Sequence, residues 1–206
     1  VNLVRTQFSH MFNTYVKGDM EKFKNNLDKI HYVVSALKKE GIYMYFGHLY
    51  WHTSNNLPKN IIPGFKGGKG VALPFFAKEY QEFFRGYAKA IFEPTNPYTG
   101  KPLAKEPSIA FVEVNNESSL LFWTFGPNRF DKAELALLEK KFGEFCAKKY
   151  GSIEKALEAW PGNRGKCGPD NVAEGRLGLY GAGHLTGADW AAGQRNPQRA
   201  ADQMQW

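Results

Sequence analysis

Cysteine is nearly missing from this chain: Cys146 and Cys167 are the only two in 206 residues. Two thiols make neither a disulfide scaffold nor a four-thiolate zinc site, and they leave the redox compartment open. Long apolar runs are missing too. None approaches the roughly 18 residues that read as a transmembrane helix. There is no internal repeat of fixed period and no low-complexity tract. Acidic residues are in deficit, 20 against 27 basic ones. The chain also lacks an initiating Met. It opens on Val1-Asn2-Leu3-Val4-Arg5, which reads as a strand already under way, and closes on Asp202-Gln203-Met204-Gln205-Trp206. A missing signal peptide at such a start carries no information.

What is present reads as globular. Hydrophobic residues make up 43% and charged residues 23%, which excludes wholesale disorder. Aromatics reach 15% and the net charge is +7. Basic charge with aromatics fits a nucleic-acid binder, and it equally fits a carbohydrate binder solvated by lysines. The positions of the lysines decide between them. Lys22, Lys24, Lys29, Lys38 and Lys39, then Lys132, Lys140, Lys141, Lys148 and Lys149, fall on helical stretches among Glu21, Asp28, Glu40, Glu134, Glu139 and Glu144. That interleaving predicts solvated helix faces. No arginine-rich stripe occurs, so neither a nucleic-acid nor a membrane partner is expected.

Periodicity gives the order of elements. Residues 1–8 read as a strand. Residues 19–40 read as a helix with Phe23, Leu27, Ile30, Val34 and Leu37 on one face, Asp19 as N-cap and Gly41 as its stop. Ile42 to Phe46 is an apolar run suited to a strand covered on both faces. Residues 52–74 read as a long loop and 75–92 as a helix. A turn at 96–100 precedes a third strand at 109–114. Helices at 131–149 and 152–160 follow. Nine glycines fall in 161–206, which shows little periodicity. Such alternation implies α/β architecture with parallel strands and right-handed crossovers. An open doubly wound sheet and a (β/α)8 barrel both satisfy it.

In either architecture chemistry gathers where strands end at their carboxyl side. The first end presents Arg5, Gln7 and then His10. The second presents Gly47, His48, Tyr50, Trp51 and His52. The third presents Asn115-Asn116-Glu117, with Trp123 shortly after. Amides, charged groups and imidazoles can bind hydroxyls, and flat rings can cover the apolar face of a sugar. Glu113 lies about 13 Å below Glu117 along an extended strand and reads as structural, paired with Arg5. A metal site from His48, His52 and Glu117 matches no zinc spacing. Gly64 to Gly70 lacks the Walker pattern and reads as a loop over the site. Asn116-Glu117-Ser118 is a glycosylation sequon, but a glycan there would block the site.

The third strand, Ala110-Phe111-Val112-Glu113-Val114-Asn115-Asn116-Glu117, resembles the fourth barrel strand of clan A glycoside hydrolases. Lys38-Lys39-Glu40-Gly41-Ile42-Tyr43 is similar to the approach to their third strand, and Asn2-Leu3-Val4-Arg5 to their second. Asn96-Pro97-Tyr98-Thr99-Gly100, followed by Pro107-Ser108-Ile109-Ala110, resembles family 5 cellulase-like members. Lys149-Tyr150-Gly151-Ser152-Ile153-Glu154, with Leu157 and Trp160, resembles family 42 β-galactosidases. The matches run in order over residues 1–160. The chain departs from that pattern at Gln7, where members often carry His, and at Leu49, where His48 is one position out of line.

The resemblance implies a retaining glycosidase of β-linked oligo- or polysaccharides, with Glu117 as acid/base and Asn116 on the sugar 2-hydroxyl. Arg5, Gln7, His10, His48, Trp51 and Trp123 are its candidate substrate contacts. It implies no cofactor and no metal, and a secreted or periplasmic location. The nucleophile of such enzymes is a Glu at the end of a seventh strand, and this sequence shows only what look like strands two to four. A complete barrel takes about 250 residues. The expectation is therefore a fragment: a partial (β/α)8 TIM barrel at 1–160 and a glycine-rich insertion of the same domain at 161–206, inactive alone. The alternative is a non-catalytic carbohydrate-binding protein or inactive relative.

Overall fold

The computed structural model describes residues 1–47, 49–51, 56–162, 165–186 and 196–206. In chain order its elements begin with β1 (Leu3–Gln7), α1 (Ser9–Val16), α2 (Met20–Lys39), β2 (Tyr43–Gly47) and the short β3 (Tyr50–Trp51). Then come α3 (Leu73–Phe76), α4 (Lys78–Phe92), β4 (Ile109–Val112) and the short β5 (Asn115–Asn116). Helices α5 (Lys132–Tyr150), α6 (Ile153–Glu158), α7 (Ala182–Leu185) and α8 (Pro197–Gln205) complete the run. The chain is α/β with a small parallel sheet. None of the described helices is long and apolar enough to cross a membrane.

The described residues divide into two compact units. One holds Val1–Ile61, Gly67–Lys69 and Ala77–Glu117; the other holds Ile62–Lys66, Gly70–Phe76 and Ser118–Trp206. Residues 118–160 thus fall in the second unit together with 161–206.

In the first unit the strands lie in the order β1-β2-β4, all parallel. Parallel pairing needs crossovers, which α1 with α2 and then α4 supply. Helix α2 forms where its apolar spacing predicts. Asp19 accepts from Lys22 N at 3.1 Å, and Phe23, Leu27, Ile30 and Val34 are buried. Gly41 follows the helix at φ 69°, a conformation that costs other residues dearly. Met44 and Phe46 of β2 are fully buried. The Phe12 ring of α1 packs edge-on against Tyr50 and Tyr87, each at 5.0 Å. Much of the aromatic excess is therefore core.

The opposite sheet face is bare. Leu3, Arg5 and Gln7 stand beside Tyr43, Tyr45 and Gly47 in the parallel register, and Phe111 stands beside Tyr45. Tyr43 is 52% exposed and Phe111 60%. The register shifts between Met44 and Tyr45, leaving Ala110 as the extra residue of β4. After Val112 the strand is interrupted, and Asn115-Asn116 pairs instead with β3.

The second unit is helical. Asp131, Ser152 and Asn196 cap α5, α6 and α8, each side chain accepting a backbone N–H. Phe142 stacks on Trp160 at 5.9 Å, and Trp206 stacks on Phe76 at 4.7 Å. A buried Asp202 ties α8 to the rest. It accepts from Lys149 Nζ at 2.7 Å, Tyr150 Oη at 2.6 Å and Trp160 Nε1 at 2.6 Å. These donors hold its carboxyl below the ordinary aspartate range despite the opposing effect of burial. Arg199 is buried against Asp170, with 3.0 and 2.5 Å contacts. Cys146 and Cys167 are both buried, and no disulfide joins them.

Three expectations need correction. Glu134 and Glu139 do not lie on a solvated face, being 2% and 5% exposed. The helix expected at 75–92 is two helices, because Ala77 takes an extended conformation (φ −102°, ψ 112°). An unforeseen helix, α1, follows the first strand.

Candidate functional site

The site is built at the carboxyl end of the parallel sheet. Arg5 leaves β1 on the bare face and crosses β2. Its Nη2 donates to both oxygens of Glu113, at 3.1 and 2.9 Å, and to Asn116 Oδ1 at 3.0 Å. Its guanidinium carbon lies 5.2 Å from the centre of the Tyr45 ring, close enough for a cation–π contact. Gly47 makes the crossing possible. A Cβ there would stand 3.3 Å from Arg5 Nε, 3.4 Å from its Cγ and 2.6 Å from Thr6 O. Glu113, through its hydrogen bond first, raises the Arg5 pKa above its already high ordinary value. The guanidinium is a fixed cation at any relevant pH.

The same arginine settles the orientation of an amide. Asn116 is 6% exposed, and its oxygen is taken by Arg5. The group it offers elsewhere is its NH2, a donor pair. The next residue, Glu117, is exposed and takes a φ of 50°. A non-glycine residue in the left-handed region is uncommon and recurs at functional positions. The chain therefore presents a carboxylate at the sheet end, beside an amide whose direction is fixed from below. A carboxylate can exchange a proton, and an oriented NH2 can hold a hydroxyl.

The expected site residues separate into groups. Arg5 and Asn116 come together, with Glu117 following directly. Gln7 ends β1 opposite Gly47 and is exposed. His10 lies in the first turn of α1 and lines a separate hollow with Asn13, Lys17 and Lys22. Burial first, then Lys22 and Lys29, lowers its pKa. Trp123 belongs to the second unit, 57% exposed, with its ring 5.9 Å from Phe122. His48 lies outside the described residues, as does the side chain of Trp51. Among the described residues no three His, Cys, Asp or Glu side chains gather as a metal site would require.

Tyr45 was not foreseen in the site, and Gly47, placed at the second strand end, was given no role there. Gly47 carried a readable signal, since a glycine in a strand often marks a close approach by another group. Tyr45 carried none, because one tyrosine in an apolar strand is ordinary. Comparison with known protein families, curated proteins and solved structures gave no significant match.

Proposed function

We propose that this chain carries the acid/base half of a retaining β-glycosidase. In this reading β1, β2 and β4 are the second to fourth strands of a (β/α)8 barrel. Glu117 protonates the leaving glycosidic oxygen and afterwards, as a carboxylate, takes the proton of the attacking water. The Asn116 amide donates to the sugar hydroxyl beside the reacting carbon. Arg5, held by Glu113, positions that amide and remains a candidate substrate contact. A second carboxylate, about 5–5.5 Å from the first in retaining enzymes, would come from a strand other than these three.

The observation that carries the reading is the Arg5-oriented Asn116 immediately before an exposed, left-handed Glu117. The bare face supports the barrel. All-parallel sheets are almost always covered on both faces, and a barrel buries its inner one. The consecutive order β1-β2-β4 also agrees, because a doubly wound sheet reverses somewhere and a barrel does not.

The test is made on the product of the longest reading frame containing this sequence. Glu117→Gln is expected to lower hydrolysis of unactivated β-glycosides by about 10²–10⁴-fold, the usual weight of a general acid. Glycan binding, measured by calorimetry, should be nearly unchanged. Unaltered hydrolysis would sink the assignment. Binding with no turnover in the unsubstituted protein would leave a carbohydrate-binding module instead. The 206-residue chain alone is expected to bind without hydrolysing.

A further inference from the structure

The hollow beside His10 plays no part in the Glu117 reading. It measures about 290 Å³ and lies between α1 and the first turns of α2. Two side-chain stripes form its walls. His10, Asn13 and Lys17 follow one another at helical spacing along α1 and its C-cap, and Lys22 and Asn26 do so on α2. Lys29 continues the second stripe and stands close enough to act on His10. Because β1 and β2 are parallel, the chain between them must return, so α2 starts at the carboxyl end of the sheet. The hollow therefore lies at the same end of the first unit as Glu117.

Its charge is the informative property. Lys17, Lys22 and Lys29 form no ion pair among the described residues, whereas Lys38, Lys78, Lys141 and Lys149 each do. The carboxylate on the wall is Asp19, and one of its oxygens already accepts from Lys22 N at 3.1 Å. Asp28, next to Lys29 in sequence, takes the Tyr98 hydroxyl at 3.1 Å. The excess of positive charge acts on His10. Burial first lowers the pKa of its imidazole, Lys22 and Lys29 lower it further, and no carboxylate is among the groups that shift it. The field at the imidazole is therefore positive.

We propose that this hollow binds an oxyanion, either a free ion or the sulfate, phosphate or carboxylate group of a saccharide. Like charges gathered around a concave surface repel one another, and an anion among them turns that repulsion into attraction. Each helix contributes an ammonium group to the wall, Lys17 from the end of α1 and Lys22 from the start of α2. The positive dipole end of the 20-residue α2 points the same way. Asn26 adds an amide that can donate to an oxyanion. A cation is repelled by these walls, and an uncharged sugar gains nothing from their charge. The inference goes beyond the glycosidase reading and does not need it.

The experiment titrates the isotope-labelled 206-residue chain with sulfate, inorganic phosphate, galactose 6-sulfate and glucuronate. Chloride holds the ionic strength constant, and methyl β-glucoside is the uncharged probe. The oxyanions are expected to shift the resonances of residues 10–26 with roughly millimolar affinity, the weak range proper to one small ligand. They should also raise the His10 pKa, followed through its ring protons, since an anion favours the imidazolium. The double variant Lys17→Gln, Lys22→Gln should weaken binding about tenfold, the combined effect of two exposed charges. Both positions are exposed, so the substitutions leave the core intact. Lys140→Gln, in the other unit, should change nothing. Tighter binding of galactose 6-sulfate than of sulfate assigns the hollow to a saccharide substituent, and equal binding assigns it to the free ion; the oxyanion reading stands in both cases. It is overturned if the oxyanions act no more strongly than chloride or the uncharged sugar. It is also overturned if the double variant binds as well as the original. No hydrolysis enters the measurement, so failure here is separable from failure of the acid/base assignment.

Discussion

Gly47 matters for what it lacks. Arg5 reaches Glu113 and Asn116 only because no Cβ stands in its path, and the nearest obstacle to a Cβ is backbone, Thr6 O at 2.6 Å. Gly47→Ala should therefore cost about 1–3 kcal/mol, as overpacking does, with a lower urea midpoint. An unchanged midpoint would show that β1 and β2 can spread. The exposure of Glu117 was legible because it directly follows a strand end, whereas the burial of Asn116 was not. Glu134 and Glu139 were not legible. Helical spacing puts charged residues at regular intervals on α5, and nothing local says which of them a later segment will cover. Glu134 is covered by the chain at Ala72, whose N–H it accepts at 2.8 Å. Burial, opposed by the N–H groups of Ala72 and Leu73 and reinforced by Asp131, raises its pKa to about 7. The folded state then holds the proton more tightly than the unfolded chain. Stability is greatest below the unfolded value of 4.5 and falls as pH rises toward 7. A shift of that size corresponds to about 3 kcal/mol. Denaturation of the chain at pH 5 and pH 8 should show the loss, and Glu134→Gln should reduce it. A flat profile in the unsubstituted chain would contradict the burial argument.

At the level of elements, the reading succeeded where a cap and an apolar period coincided. Helix α2 has both, and its ends fall within a residue or two of expectation. Helix α1 has neither in strength: it is 8 residues long, and no side chain caps it. Its place is fixed by tertiary burial of Met11 and Phe12. The break at Ala77 is of the same kind, since alanine is the best intrinsic helix former and tertiary packing alone can extend it. Helix α8 did announce itself. Asn196 followed by Pro197 is a cap and first-turn signature, hidden by the glycine-rich sequence around it. Glycine in α5 has a different purpose. A Cβ on Gly143 would lie 2.2 Å from Gly175 O, so the helix and the 171–176 turn meet backbone to backbone. Gly143→Ala should push them apart at a cost of about 3 kcal/mol, the upper end of overpacking, seen as a lower thermal midpoint. A midpoint within a degree of the original would mean that the turn simply moves away.

For the whole molecule, alternation of strand and helix correctly announced α/β architecture with parallel strands. The division into units was harder to read, because units are defined by which surfaces meet, and composition does not mark that. Residues 131–160 look like one more helical crossover in sequence. Their apolar faces instead close on Leu177, Leu179 and Ala182. The two units are also not consecutive along the chain. Ile62–Lys66 and Gly70–Phe76 are counted with the second unit although the first continues after them. That threading decides where the chain can be cut. A piece comprising only 118–206 would leave the buried Glu134 without the Ala72 amide and the Trp206 ring without Phe76 beneath it. Such a piece should be less stable than the same unit within the chain, exposing its aromatic core to dye binding. Boundaries drawn for expression at Ser118 would discard a dozen residues that the later half uses as its own.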